Sequence, residues 1–223
     1  MNFLSHYYFE RNNTNENMVM GVVLPDFIKN AHKDWNLNPQ KEETLFAYDL
    51  QHLSILEGWK KHLEVDRLFH GSEFFKDQTA TLKHIILPIF EDSPVKPFFL
   101  AHIGLELILD HLLVTEGLIN INTFYQQLAK ANNPGLTSFL SKAGLPDEEL
   151  FYKFLNGFIS SKYLLSYQKI ENITYALNRI CMRLWSNPFK DQQLQELTKK
   201  LEEFKAGLQE NYKVIFNTIE VSI

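Results

Sequence analysis

The sequence predicts an all-α protein that folds as a single-domain helical bundle. Apolar residues recur at three- and four-residue steps along nearly the whole chain, which is the spacing of one face of a helix. We find no alternating apolar and polar pattern of strand length, no internal repeat and no low-complexity segment. At 223 residues, 45% of them hydrophobic, the chain is long enough for one substantial core.

The predicted helices follow one another with short breaks. The apolar spacing predicts a long helix between Glu42 and Phe75 and a denser, buried helix from Pro97 to Val114, with proline in its first turn. The last helix, at about 190–217, carries Glu and Lys at i,i+4 spacing and is predicted to be a charged, amphipathic surface helix. Further helices are predicted at about 16–30, 73–90, 121–132, 147–166 and 167–185, with breaks at 36–39, 91–94, 132–135, 144–147 and 186–188.

Composition and charge exclude several classes of protein. A net charge of -5 and a pI near 5.9 argue against a nucleic-acid partner, because domains of that class carry a strong basic excess. No window approaches eighteen uninterrupted apolar residues, and the start MNFLSHYYFERNN lacks the basic and apolar regions of a signal peptide. We therefore expect a cytoplasmic location and no membrane partner. The 18 Phe, 9 Tyr and 3 Trp predict a core packed from aromatic rings.

Common catalytic motifs are missing from the sequence. The single cysteine, Cys181, excludes an intramolecular disulfide and lies in an apolar helical stretch, which favours a small core residue over a nucleophile. The patterns GxGxxG, GxxxxGK[ST], GxSxG and CxxC do not occur. The sequence therefore favours neither nucleotide binding on a glycine-rich loop nor a serine triad.

Polar residues on apolar helices indicate where chemistry is possible. In KKHLEVDRLFH, His62, Asp66 and His70 follow one another at four-residue steps and share one helix face. In AHIGLELILDHLL, His102, Glu106 and Asp110 do the same and His111 follows directly; such groups are costly to bury in an apolar helix unless they are paired or bind a metal. Two further residues, His6 and Asp26, stand in apolar surroundings near the N-terminus.

Imidazole and carboxylate together suit Mn, Fe or Zn better than Ca or Mg, so a divalent transition-metal site is one interpretation of these residues. Each residue also has a simpler interpretation. A single histidine on an amphipathic helix is typical of a core or rim position, and one i,i+4 His/Asp pair is typical of a surface hydrogen bond. His32, His52 and His84 have no such neighbours and are taken as ordinary residues.

Several short segments, in their order along the chain, are similar to those of a known protein family. Together they resemble the acyl carrier protein phosphodiesterase (holo-ACP hydrolase) family, helical enzymes that are distantly related to HD-type metal phosphohydrolases. The segments are Asn2-Phe3-Leu4-Ser5-His6, Gly21 to Asp26-Phe27, His62-x-x-x-Asp66, Asp110-His111, and Tyr163–Trp185 with Leu177-Asn178-Arg179.

The resemblance implies an HD-like helical architecture and a manganese-dependent hydrolase, with Fe or Zn as alternative metals. Such an enzyme cleaves the phosphodiester that joins 4'-phosphopantetheine to a serine of acyl carrier protein. A bound metal would lower the pKa of a water molecule, and His111 or His70 would protonate the leaving serine oxygen. The implied metal ligands are His6, Asp26, His62, Asp66 and Asp110, and His102 and Glu106 are either further ligands or orient Asp110 and His111.

The chain departs from the family pattern after His62. The family usually has His-Arg-Arg-Ile-Asp there, whereas Leu63-Glu64-Val65 separates His62 from Asp66 in this chain. Because acyl carrier protein is strongly acidic, the loss of two arginines weakens the expectation of this partner. Two alternatives therefore stay open: a metal phosphohydrolase of the same fold that acts on another phosphoester, and a helical interaction module without catalysis.

Overall fold

A computed structural model describes residues 1–90 and 93–223, and these residues form helices and no strands. The all-α prediction is confirmed. Short 3-10 helices lie at Pro39–Lys41, Glu43–Leu45, Leu87–Phe90 and Tyr163–Gln168. The α-helices are α1 (Phe3–Tyr8), α2 (Glu16–Gly21), α3 (Leu24–Ala31), α4 (Leu50–Gly71), α5 (Glu73–Ile86), α6 (Pro97–Thr115), α7 (Ile121–Ala131), α8 (Pro134–Lys142), α9 (Glu148–Ser161), α10 (Ile170–Cys181), α11 (Asp191–Leu208) and α12 (Lys213–Ser222).

The chain divides into two compact units, which we describe separately. The N-terminal unit comprises residues 2–66, 119–164 and 223, and the C-terminal unit comprises residues 1, 67–118 and 165–222. Helix α4 contributes residues to both. That the whole chain forms a single domain stays a prediction.

The N-terminal unit has a core of stacked and tilted aromatic rings, as the composition predicts. Phe3, Phe27 and Phe158 pack with ring centroids 4.7–5.1 Å apart, and Tyr7 lies 4.7 Å from Phe124. These contacts join α1, α3, α7 and α9, while α2 packs against α7. Because α1 is anchored by its own rings, His6 on that helix is held inside the unit.

A pair of glycines brings α2 and α4 into close approach. A Cβ atom on Gly21 would lie 2.8 Å from the Cα atom of Gly58 and closer still to the backbone oxygen of Ile55. Only glycine fits at such a contact between helices. One position after Gly21 comes Val22, and one helical turn after Gly58 comes His62, so this approach places the carbonyl of Val22 beside the His62 ring.

The C-terminal unit is built on α6. This helix packs against α5 and α10, and α11 packs against α5 and α10 in turn. Apolar residues on all sides of α6 are buried, which explains why the helix is apolar all round rather than amphipathic. The polar residues that α6 carries are therefore held in an apolar setting.

Within the described residues, one helix is long and apolar enough to cross a membrane, and it is α6. Of its 18-residue apolar window, 67% is buried inside the protein. The core helix of a globular protein meets the same criteria, so α6 is weak evidence for a membrane span.

Several predicted helices begin or end differently in the structure. Those predicted at 73–90, 147–166 and 167–185 are shorter, at Glu73–Ile86, Glu148–Ser161 and Ile170–Cys181. The helix predicted at 16–30 is two helices, because Pro25 has no N–H to continue α2 and instead lies in the first turn of α3. The helix predicted from Glu42 starts only at Leu50, where the Asp49 carboxylate accepts hydrogen bonds from the backbone N–H groups of Gln51 and His52.

The predicted C-terminal helix at about 190–217 is also two helices. It ends at Leu208 and resumes as α12 at Lys213, and Gly207 and Asn211 near this break are weak helix formers. Helices α1 and α8 were not predicted, although Asn133 caps α8 by accepting the N–H of Gly135. The predicted break at 91–94 lies partly outside the described residues.

Candidate metal centre

His62 lies on α4 with its ring fixed by a backbone carbonyl. Nδ1 is 2.9 Å from the carbonyl oxygen of Val22, so Nδ1 donates its proton there and the neutral ring has its lone pair on Nε2. Nε2 is 3.8 Å from Asp66 Oδ2 and 4.0 Å from Asp26 Oδ1. His62 therefore directs a potential ligand atom toward two carboxylates.

His6, from α1, completes this cluster. Its ring stacks on that of His62 with centroids 3.8 Å apart and planes 19° apart, and its Nε2 lies 3.3 Å from Asp66 Oδ1. One ligand atom from each of His6, His62 and Asp66 lies within 4.8 Å of the others. We call these residues, together with Asp26, the His6 cluster.

The two imidazoles of the His6 cluster are buried, whereas its carboxylates are partly open. His6 and His62 are 1% and 3% exposed, and the side chains of Asp26 and Asp66 are 28% and 34% exposed. The histidines thus form the floor of the cluster, and a solvent-borne ion or substrate would meet the carboxylates first.

Burial and electrostatics set the charge states in the His6 cluster. Burial, and then the neighbouring His6, hold the pKa of His62 well below its usual value, although Asp66 acts in the opposite direction. Burial raises the pKa of Asp66, but the hydrogen bond with His6 and the nearby positive charges together outweigh this effect and lower that pKa overall. At neutral pH, His62 is therefore neutral and Asp66 is ionised, which are the forms that bind metals.

The donor set of the His6 cluster fits a divalent transition metal. Two imidazole nitrogens and two carboxylates suit Mn, Fe or Zn better than Ca or Mg, which prefer oxygen ligands alone. The Val22 carbonyl holds the His62 ring in the tautomer that a metal needs, as partners of ligating histidines commonly do. The identity of the metal does not follow from this donor set.

A second group of potential ligands lies in the C-terminal unit. His70, at the end of α4, meets His102 and Glu106 of α6, and we call these three residues the His102 cluster. The amino group of Met1 is 3.4 Å from Glu106 Oε1. Burial raises the pKa of Glu106, but the Met1 amino group and hydrogen bonds from the two histidines lower it overall, so the carboxylate is ionised.

Asp110 and His111 follow on the same helix. Asp110 is fully buried. His111 is also buried, and its Nδ1 lies 2.7 Å from the carbonyl oxygen of Tyr167, so Nδ1 donates there and Nε2 is the free ring nitrogen. Burial lowers the pKa of His111, with the Tyr167 carbonyl opposing this effect. His111 also lines a pocket of about 390 Å³ together with Glu116, Glu171 and Lys205.

Of the five metal ligands that the resemblance implies, the structure places four close together: His6, Asp26, His62 and Asp66. The inclusion of Asp110 and His111 in the same centre stays a prediction, because they belong to the other unit. Sequence reasoning missed the carbonyl groups of Val22 and Tyr167, which orient His62 and His111. No side-chain pattern identifies a backbone carbonyl as a partner, so the sequence held no signal for them.

Within the residues that the structure describes, the fold is all-helical and two groups of side chains could hold a metal ion. A family model described as acyl carrier protein phosphodiesterase matches residues 1–219, essentially the whole chain. The chain therefore belongs to the acyl carrier protein phosphodiesterase family, and the resemblance seen in the sequence is confirmed. No curated protein and no solved structure matches it significantly.

Proposed function

We propose that the protein is a metal-dependent phosphodiesterase that removes 4'-phosphopantetheine from holo acyl carrier protein. The family is described by the name of such a phosphodiesterase. The observation that carries the metal dependence is the convergence of His6, His62 and Asp66, from helices distant in sequence, on one small volume. The all-helical fold is compatible with the HD-like architecture that the resemblance implies.

In this proposal the His6 cluster holds the metal, and the family resemblance implies Asp110 as a further ligand. When bound, the metal supplies a water molecule of lowered pKa and neutralises charge on the phosphoryl oxygens. Manganese is the metal that the family resemblance implies, with Fe and Zn as alternatives. The protein contributes a preset His62 tautomer, through Val22, and two carboxylates at the open side of the cluster.

The proton for the leaving serine oxygen is proposed to come from His111 or His70, and the structure sets a condition on each. Because His111 donates from Nδ1 to the Tyr167 carbonyl, only its Nε2 is available to exchange a proton with substrate. The Nε2 atom of His70 lies 3.2 Å from Glu106 Oε1, so this histidine must leave that carboxylate to act on substrate.

The choice of acyl carrier protein as the partner depends on the positive charge near His62. Lys60, Lys61 and Arg67 are candidates to replace the arginines missing after His62, but the two lysines already have acidic partners. Lys60 Nζ lies 2.8 Å from Glu57 and 3.3 Å from Glu43, and Lys61 forms an ion pair with Glu10. We therefore expect weaker electrostatic steering of an acidic carrier protein than an arginine pair would provide.

The test is to incubate the purified protein with holo acyl carrier protein and Mn²⁺, and to weigh the carrier by mass spectrometry. Loss of the phosphopantetheine mass, prevented by a chelator, supports the proposal. If a generic phosphodiester is hydrolysed while the carrier keeps its mass, the enzyme acts on another phosphoester. If neither reacts, the chain is a non-catalytic helical module. The activity is proposed to operate in the cytoplasm, on an intracellular phosphoester, without a membrane or nucleic-acid partner.

A further inference from the structure

The His102 cluster has the geometry of a coordination site. His70 Nε2 lies 3.3 Å from His102 Nε2 and 3.2 Å from Glu106 Oε1, and His102 Nε2 lies 3.0 Å from the same oxygen. The three atoms form a nearly equilateral triangle. Two of its corners come from one turn of α6, and the third comes from the end of α4.

The size of this triangle matches the distance between neighbouring ligands of a small divalent cation. Zinc binds imidazole nitrogen and carboxylate oxygen at about 2.0–2.2 Å, and tetrahedral angles at such bond lengths place the ligand atoms about 3.3 Å apart. All three edges observed here lie at or slightly below that value. The side chains therefore do not need to move far to receive an ion.

Protons alone explain the triangle less well. With hydrogen bonds alone, either both Nε2 atoms donate to Glu106 Oε1 and their N–H dipoles lie side by side 3.3 Å apart, or one Nε2 atom turns its lone pair toward that oxygen. The same oxygen also faces the Met1 amino group. A cation placed among the three atoms would instead accept a lone pair from each of them.

The surroundings of the triangle hold the two imidazoles in place. The ring of Phe75, at the start of α5, lies 4.9 Å from both imidazole centroids and nearly perpendicular to each, at 80° and 78°. The Glu106 side chain is 10% exposed, while those of His70 and His102 are about one-third exposed. The arrangement combines a buried anionic ligand with two histidines that solvent can reach, which gives an ion a path of entry.

We propose that His70, His102 and Glu106 form a binding site for a divalent transition metal, with three protein ligands and at least one open position. Two imidazoles and one carboxylate suit Zn²⁺, Co²⁺ or Mn²⁺ better than Ca²⁺ or Mg²⁺. The site does not depend on the phosphodiesterase proposed above or on the His6 cluster. For the phosphodiesterase proposed above, a metal at this site would engage the Nε2 lone pair of His70 and so would leave His111 as the proton donor.

The test is a Co²⁺ titration of the chelator-treated protein, followed by its visible absorption and by metal analysis after gel filtration. The variant is His102→Ala and the matched control is His84→Ala, which removes an exposed histidine from α5. We expect His84→Ala to bind one equivalent of Co²⁺ more than His102→Ala. Both variants retain the His6 cluster, so cobalt bound there does not affect this difference. Loss of a ligand should lower the affinity for Co²⁺ by more than the roughly 10- to 100-fold that follows loss of a residue hydrogen-bonded to a ligand.

Because His70 and His102 are both partly exposed, either can be truncated with little effect on the core. If His102→Ala loses helical circular dichroism, His70→Ala replaces it in the same comparison. Equal cobalt content and equal absorption in a folded variant and in His84→Ala would overturn the site. Failure of the phosphodiesterase proposal is seen separately, as an unchanged carrier mass, and leaves this comparison unaffected.

Discussion

The imidazole rings of His6 and His62 lie face to face, with centroids 3.8 Å apart and planes inclined by 19°. Both rings are buried, so protonating both at once would place two like charges in contact away from water. The stacked pair is therefore suited to neutral rings, and neutral imidazole is the form that coordinates metals. This relationship makes His62 the first residue to test.

Replacing His62 by Ala removes a proposed ligand and leaves the Val22 carbonyl without its hydrogen-bond donor. We expect one equivalent less of bound Mn²⁺ and a fall of more than about 100-fold in kcat on the phosphodiester. We also expect a loss of stability of about 1–3 kcal/mol from the buried carbonyl. Metal analysis, steady-state kinetics and urea unfolding measure the three effects.

The control for this variant is again His84→Ala, which should match the unmodified protein in all three measurements. If His62→Ala keeps the full manganese content while it remains folded, the His6 cluster is not the metal centre. Activity lost with metal retained would instead assign His62 a role in substrate binding.

The close approach of Gly21 and Gly58 gives a second prediction, which concerns both stability and activity. In Gly21→Ala, the new methyl group meets the backbone of Ile55 and Gly58, and the helices must separate. We expect a destabilisation of about 1–3 kcal/mol, as for other overpacked contacts. Separation also moves Val22 away from His62, so Mn²⁺ affinity should fall as well.

Gly157→Ala is the matched control, because no atom lies within 4 Å of a Cβ at that position of α9. Alanine is the better helix former, so this variant should gain about 0.5–1 kcal/mol. Urea unfolding of the two variants should therefore give shifts of opposite sign. Shifts of the same sign would contradict the close helix contact.

The sequence predicted the helical class and the rows of potential ligands on single helix faces, because both depend on spacing along one helix. The i,i+4 steps of His62, Asp66 and His70 on α4 place them on one face whatever the tertiary structure is. Which residues from other helices these side chains meet depends on tertiary packing instead. In the structure, His62 and Asp66 join His6 from α1, whereas His70 joins His102 and Glu106 from α6.

Contacts between distant backbone atoms lay outside what the sequence could indicate. Gly21 lies in a segment that resembles the family. Its partner Gly58 lies in a helix otherwise rich in good helix formers, and nothing in the sequence around it indicated a contact with Gly21. The start of α4 shows a different limit. The helical spacing of apolar residues begins at Glu42, but Asp49 caps the helix and α4 begins only at Leu50. Apolar spacing alone does not distinguish a cap from a continuing turn.

Tyr125 gives a third prediction, about a single buried hydrogen bond. Its hydroxyl oxygen accepts the backbone N–H of Leu164 at 3.2 Å, and both residues are almost fully buried. In Tyr125→Phe that N–H loses its acceptor, so we expect a loss of about 1–3 kcal/mol in the free energy of unfolding. The control is Tyr175→Phe on the exposed side of α10, where urea unfolding should show no measurable change. Equal stability of the two variants would mean that water replaces the hydroxyl.

Cys181 gives the last prediction, which concerns pH. Burial at the end of α10 raises the pKa of its thiol to about 12, and the side chain is fully buried. Since the thiolate is the reactive form, the native protein should not react with a disulfide reagent at pH 8, whereas one equivalent should react in guanidinium chloride. Cys181 is the sole cysteine, so every thiol detected reports on this residue.

The sign of the linked effect on stability follows from the raised pKa. Below about pH 7 the thiol is neutral in the folded and unfolded chains and adds no pH dependence. From about pH 8 to pH 12 the unfolded chain releases the proton increasingly while the folded chain retains it, so stability falls as the pH rises. Cys181→Ala should remove this part of the slope, and the difference between the two proteins isolates the thiol from the buried tyrosines. Rapid labelling of the native protein at pH 8 would show that α10 opens at its end and that the buried thiol is not inert.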